Sequence, residues 1–284
     1  MFHRVEQKNQ AKEAMRGNWP HILFTVALIM IVVGCLNVIS SSSDTFNWGD
    51  LLIWLLEGPL AISFCGFILQ LRRNKTVHTQ QFFDGFSNFI KWMLAGLWQN
   101  LWLLLWTLLL IIPGVVKYYS YSQYYFILAD NPDADLRQAL KTSMKMTDGC
   151  KGDLFIASLS FLNWYLVIGA IQMTVMAFLW PQPDLLLGSL LCVPVYFYLV
   201  PYMAGTFAGI YEELKANALA NGVCSPEEFG LSEVPPVVQF TAANTEPQDD
   251  SSIYYDDDEP VDDELTYMEQ KEAEQSSTEQ KQEE

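Results

Sequence analysis

Between Trp92 and Ile112 the chain runs for 21 residues without one ionisable side chain, and the run ends at Pro113-Gly114. At 1.5 Å per residue, a helix of that length covers about 30 Å, the thickness of a bilayer's hydrocarbon core. A helix that is apolar all round needs burial on every side, which lipid supplies and water does not. Beyond Pro113 and Gly114 a shorter, tyrosine-rich stretch, Val115–Ala129, leads to Asp130. The whole segment is predicted to be a hairpin of two membrane-crossing helices with Pro113 and Gly114 at its tip.

Four further apolar runs, His21–Ser40, Leu51–Leu71, Leu154–Leu179 and Leu185–Tyr211, bring the expected number of spans to six, at about 21–40, 51–71, 92–112, 115–129, 154–179 and 185–211. The predicted fold is all-α, a polytopic transmembrane helical bundle in residues 1–215. Pro194 and Pro201 should kink the last span. Val32-Val33-Gly34-Cys35 resembles a lipoprotein cleavage box, but the polar leader is long and apolar residues continue past Cys35, so a retained anchor is favoured. An amphipathic segment precedes each pair of spans, at 2–16, 79–91 and 133–148, which gives three units of interfacial helix plus membrane hairpin.

Basic residues near span ends favour the cytoplasmic side. They are Arg4, Lys8, Lys12 and Arg16 before the first span, Arg72, Arg73, Lys75 and Lys91 before the third, and Arg137, Lys141, Lys145 and Lys151 before the fifth. The loops at 41–50 and 181–184 carry none. The two basic connectors therefore share a side, the hairpin between them must go out and come back, and both termini are expected to be cytoplasmic.

The formal charge of −17 belongs to one end. Up to Lys215 there are 14 basic and 14 acidic residues; residues 216–284 carry 2 Lys against 19 Asp and Glu. Such a segment cannot bury enough apolar surface to fold alone, so 216–284 is expected to be a disordered cytoplasmic tail. It either stays solvated or docks a cytosolic or membrane protein; its charge excludes nucleic acid as a partner.

Glu57 and Lys117 are the two ionisable residues well inside expected spans, at comparable depth. A charge there costs on the order of 3 kcal/mol on insertion scales, so the two are expected either to pair or to serve a function. With Tyr118, Tyr121 and Gln123 they form a candidate intramembrane polar cluster, whose bland alternative is hydrogen bonding between helices. Arg137, Lys141 and Lys145, spaced by four, form a stripe expected to face headgroup phosphates. Asp130 and Asp133 are read as helix-boundary residues, and Gly205 and Gly209 as a tight packing site. The three histidines and five cysteines are scattered, so no metal site is expected. Neither a cofactor motif nor a paired nucleophile and base is visible, and no enzymatic activity is expected.

Ala11-Lys12 with Gly17 and Trp19, the run IIPGVVKYYSYSQYYFILADNPD at Ile111–Asp133, and Met146–Phe155 with Gly149, Lys151 and Gly152 resemble the bacterial integral membrane family called domain of unknown function 975. The resemblance covers about residues 1–215. It implies a multi-pass protein of the bacterial cytoplasmic membrane and supplies no catalytic residue. Two functions remain open: a non-enzymatic scaffold or envelope-associated interaction protein that uses its tail, and a small transporter of an amphipathic solute that uses the intramembrane polar cluster.

Overall fold

The structure, a computed structural model, describes residues 3–41, 48–178 and 185–232. The base-free loop at 181–184, most of the loop at 41–50, and the acidic tail from residue 233 lie outside the described residues. Every regular element among the described residues is helical. In order these are α1 (Arg4–Met15), α2 (Trp19–Ser41), α3 (Trp48–Asn74), α4 (Gln80–Asp84), a 3-10 turn (Gly85–Asn88), α5 (Phe89–Leu109), α6 (Ile111–Ser120), α7 (Tyr124–Asp130), α8 (Leu136–Met146), α9 (Lys151–Leu159), α10 (Leu162–Phe178), α11 (Leu185–Ala220) and a second 3-10 turn (Pro226–Phe229).

Five helical stretches are long and apolar enough to cross a membrane, namely Trp19–Asn37, Trp48–Asn74, Gln80–Leu109, Lys151–Phe178 and Leu191–Ala220. The expected fourth span, 115–129, is not among them. It is divided into α6 and α7 by a turn at Tyr121–Gln123. The polar residues of that stretch explain the break, because Ser120 and Ser122 turn their hydroxyls onto the nearby carbonyls of Val116 and Tyr119. The two short helices nevertheless bring the chain back. Pro132 returns to the start of α5, where its carbonyl accepts from Lys91 Nζ at 2.6 Å, and Asp130 reaches Arg73 at the end of α3.

Pro113 and Gly114 do not form the tip of the hairpin. The chain turns at Leu110, whose extended backbone starts α6, and Pro113 sits in the first turn of that helix. An amide N–H has no intrahelical partner there, so proline loses nothing. Gly114 serves packing instead: a Cβ on it would come within 2.7 Å of Thr107 Oγ1 and 3.0 Å of Thr107 Cα, so α5 and α6 can approach this closely only at glycine.

The same device sets the crossing of α3 and α5. A Cβ on Gly58 would lie 2.1 Å from the Trp92 carbonyl oxygen, and one on Gly96 would lie 2.9 Å from Gly58 Cα. Gly205 and Gly209 on α11 also mark a tight approach, as expected. Gly205 receives Ala11 of α1, and Gly209 receives the side chains of Gln7 and Arg72. The first helix is therefore packed along the last one, with Gln7, Ala11 and Met15 buried, rather than lying alone on a surface. Asn18, just ahead of α2, donates its side-chain amide to the carbonyl of Lys75 at 2.8 Å.

The bundle leaves α5 and the hairpin tip covered with aliphatic groups. Leu104, Leu108, Leu110 and Ile112 are all more than half exposed. A surface of this composition matches hydrocarbon, not water. Past Lys215 the fold continues: α11 extends to Ala220, and Cys224 and Phe229 are buried.

Candidate functional site

Three tryptophans, Trp98, Trp102 and Trp106, lie at four-residue spacing on α5 and so share one face. Opposite them, α6 contributes Lys117, and Tyr121 follows as its C-cap residue. From α8 come Arg137, Leu140, Lys141 and Met144. Together these residues line a cavity of about 550 Å³, within the range of small-molecule sites, roughly 300–1,000 Å³.

Local sequence explains why α8 presents two bases here. Asp135 caps the helix, accepting from the backbone N–H groups of Arg137 and Gln138 at 3.1 and 3.2 Å. Gly149, at φ +78°, lies just beyond its end, in the left-handed conformation that favours glycine after a helix. Ala139, Leu140, Thr142, Ser143 and Met146 are buried. Ser143 Oγ donates to the carbonyl of Ser120 at 2.8 Å, which ties α8 to the end of α6. Arg137 and Lys141, one turn apart, are left on the cavity side.

The charges in this cavity are answered by aromatic faces. Lys117 Nζ is 4.9 Å from the Trp106 ring centroid and 3.7 Å from Met144 Sδ, while Arg137 Cζ is 5.3 Å from the Trp98 ring. Contacts of this type contribute about 0.5–2 kcal/mol each. No carboxylate among the described residues lines the cavity. Among the described residues Lys117, Arg137 and Lys141 have no ion pair. The indole Nε1 of Trp98 is buried without a hydrogen-bond partner there. The arrangement can hold a negative group beside an apolar one.

The residues expected from sequence are divided differently from the way their order suggests. Glu57 and Lys117 do not pair. Glu57 Oε2 accepts from Asn100 Nδ2 at 2.8 Å across the α3–α5 crossing, whereas Lys117 points to Trp106 and α8. Of the expected polar cluster, Lys117 and Tyr121 meet in the cavity. Tyr118 is exposed and borders a second cavity of about 310 Å³ with Gln99, Ser122 and Tyr125. Gln123 is fully buried and donates to Ser122 Oγ at 3.1 Å. The basic stripe is divided too: Arg137 and Lys141 line the cavity, but Lys145 pairs with Glu228 at 2.8 Å. The tryptophans were missed as a site, although their spacing was visible. A Trp stripe through a whole span differs from an interfacial belt, which sits at span ends.

Asp130 is also more than a boundary residue. It accepts from Arg73 at 2.6 Å and Tyr211 at 3.0 Å, and it contacts Lys215. Burial alone would raise its pKa, but the hydrogen bond from Arg73 and the charges of Lys215 and Arg73 outweigh it and hold the carboxyl below its ordinary value.

The model of the family described as protein of unknown function (DUF975) matches residues 1–120 and 108–218. The chain belongs to the DUF975 family. Every residue that lines the cavity, from Trp98 to Met144, lies within the matched part of this DUF975 chain. No curated protein and no solved structure matches the chain.

Proposed function

We propose that this DUF975 protein is a non-enzymatic membrane carrier that takes up an amphipathic anion in the cavity between α5, α6 and α8. It works in the bacterial cytoplasmic membrane, with both termini on the cytoplasmic side. The lipid bilayer is its constant partner, and no nucleic acid or cofactor takes part. The observation that supports this reading is a cavity lined by three cations and three tryptophans, with no carboxylate among its described lining residues, in which Lys117 and Arg137 lie over indole faces. Cations at such depth are costly unless something answers their charge. The indoles answer part of it, and a ligand with an anionic head and an apolar body would answer the rest. The scaffold reading depends on the tail at 216–284, most of which, from residue 233, lies outside the described residues.

Proteoliposomes containing the full-length chain, given a fluorescent alkyl anion on the outside, test the proposal. Uptake should exceed that of protein-free liposomes and fall about tenfold or more in a Lys117→Gln, Arg137→Gln double variant, since each lost charged hydrogen bond contributes about 1.5–3 kcal/mol. Uptake equal to that of protein-free liposomes would overturn the carrier.

A further inference from the structure

Resting on that reading, we propose that the anion is the phosphomonoester headgroup of a membrane lipid, seated between Lys117, Arg137 and Lys141 with its acyl chains along α5. Charge is the first argument. Three formal positive charges converge on the cavity with no acid among its lining residues. A carboxylate, a sulfate ester or a phosphodiester brings one negative charge and leaves two cations unanswered. A phosphomonoester brings about −1.5 to −2 at neutral pH, with three acceptor oxygens. One guanidinium and two ammonium groups suit those oxygens, the first as a two-pronged donor and the others as point charges. The buried indole Nε1 of Trp98 is a further donor without a partner among the described residues.

The second argument separates a lipid from free phosphate. Leu101, Leu105 and Leu109 run beside the tryptophan stripe at the same four-residue spacing, and they are 54%, 54% and 68% exposed. An aliphatic track thus adjoins the cationic end of the cavity, with indoles between the two. Soluble phosphate has no use for that track. An acyl chain fills it, as lipid fills the other apolar faces of α5.

Intrinsic tryptophan fluorescence reads the binding, with bromine atoms on the acyl chains as quenchers. The full-length chain in mixed micelles is titrated with brominated phosphatidic acid, phosphatidylglycerol and phosphatidylcholine. Phosphatidic acid should half-saturate quenching at about a tenfold lower mole fraction than phosphatidylglycerol, and phosphatidylcholine should show no saturable phase; tenfold corresponds to about 1.4 kcal/mol. Lys141→Gln, a change at an exposed position, should remove most of the preference. Lys145→Gln, outside the cavity, should leave it intact. The preference should narrow at about pH 5.5, where the monoester dianion takes up one proton and becomes a monoanion (pKa2 roughly 6). Equal binding of the two anionic lipids, or a preference that survives Lys141→Gln, would overturn the phosphomonoester assignment while leaving a carrier of some other anion in place. Displacement of phosphatidic acid by millimolar inorganic phosphate would overturn the lipid assignment. Failure of both anionic lipids to bind would remove the basis of the carrier as well.

Discussion

Two groups of cations in this fold are treated in opposite ways. Where α3, α7 and α11 meet, three cations face carboxylates: Arg72 meets Glu212, Arg73 meets Glu212 and Asp130, and Lys215 meets Asp130. In the cavity between α5, α6 and α8, Lys117 and Arg137 face indoles, and Lys117, Arg137 and Lys141 have no acid beside them among the described lining residues. The first group joins elements that are far apart in sequence and gives every one of its cations a carboxylate partner. The second group keeps its charge available. Internal neutralisation is what a clasp needs, and the lack of it is what an anion site needs.

The comparison is most sharply tested at Asp130, whose side chain is 8% exposed. Asp130→Ala leaves Lys215, whose side chain is 13% exposed, without its carboxylate and Arg73 with Glu212 alone, and breaking a buried pair such as that of Lys215 costs about 3–5 kcal/mol. A large drop in the unfolding midpoint of the detergent-solubilised chain is expected. Lys117→Gln, which removes a charge that has no ionic partner among the described residues, should move the same midpoint by less than about 1 kcal/mol. If the two variants were equally destabilised, the division into clasp and site would fail.

The next largest effect should come from turning the site into a clasp. Met144 Sδ lies 3.7 Å from Lys117 Nζ. Met144→Glu would place a carboxylate against Lys117 and reproduce, inside the cavity, the arrangement seen at Asp130. Anionic-lipid binding measured by tryptophan quenching should weaken about 100-fold, or roughly 2.7 kcal/mol, with the unfolding midpoint held or raised. Undiminished binding would show that the absence of acids from the cavity has no functional meaning.

The two regions also differ in how much of them could be read from sequence. The out-and-back path of 92–130 was legible because apolar length and basic connectors act locally. The tip was misplaced because proline tolerates both a turn and the first turn of a helix, and the contact between Gly114 and Thr107 decides between them. The stripe Arg137, Lys141, Lys145 was legible as a period of four. Its division was not, because Glu228, which takes Lys145, lies 83 residues further along. Asp130 was read as punctuation for the same reason: Arg73, Tyr211 and Lys215 are 57, 81 and 85 residues away. Lys117 and Glu57 matched in depth, but they leave their helices toward different neighbours, and a periodic pattern carries no information about which helix lies next.

Acid should act on the clasp and spare the site. The folded carboxyls of Asp130 and Glu228 both titrate below their ordinary values: burial pushes each up, but Arg73 and Lys215 pull the first down, and Lys145 and Thr142 pull the second down. A depressed folded pKa gives stability that is complete above the unfolded value, about 3.9–4.3 for Asp and Glu, and that is lost as pH falls through the folded value. The unfolding midpoint should therefore hold from neutral pH to about pH 5 and fall below about pH 4. In Asp130→Ala this acid-dependent loss should be clearly smaller. An identical acid profile in that variant would mean that other carboxylates carry it.

The smallest effect is expected where the two regions come closest. Glu228, 11% exposed, accepts from Lys145 at 2.8 Å and also from Gln138 and Thr142, so the segment after α11 is fastened to the same helix that supplies Arg137 and Lys141. Its hydrogen bond with Lys145 raises that amine's pKa against the opposing effect of burial. Lys145 is nevertheless 45% exposed, and pairs of this kind contribute under about 1 kcal/mol. Glu228→Gln should lower the unfolding midpoint slightly, because the amide can still serve Gln138 and Thr142. Lipid binding should change by less than about twofold, since Lys145 is not among the residues that line the cavity. A gain in affinity of tenfold would show that Lys145, once released, joins the other two cations, and that the acid of the C-terminal segment withholds charge from the cavity rather than merely fastening α8.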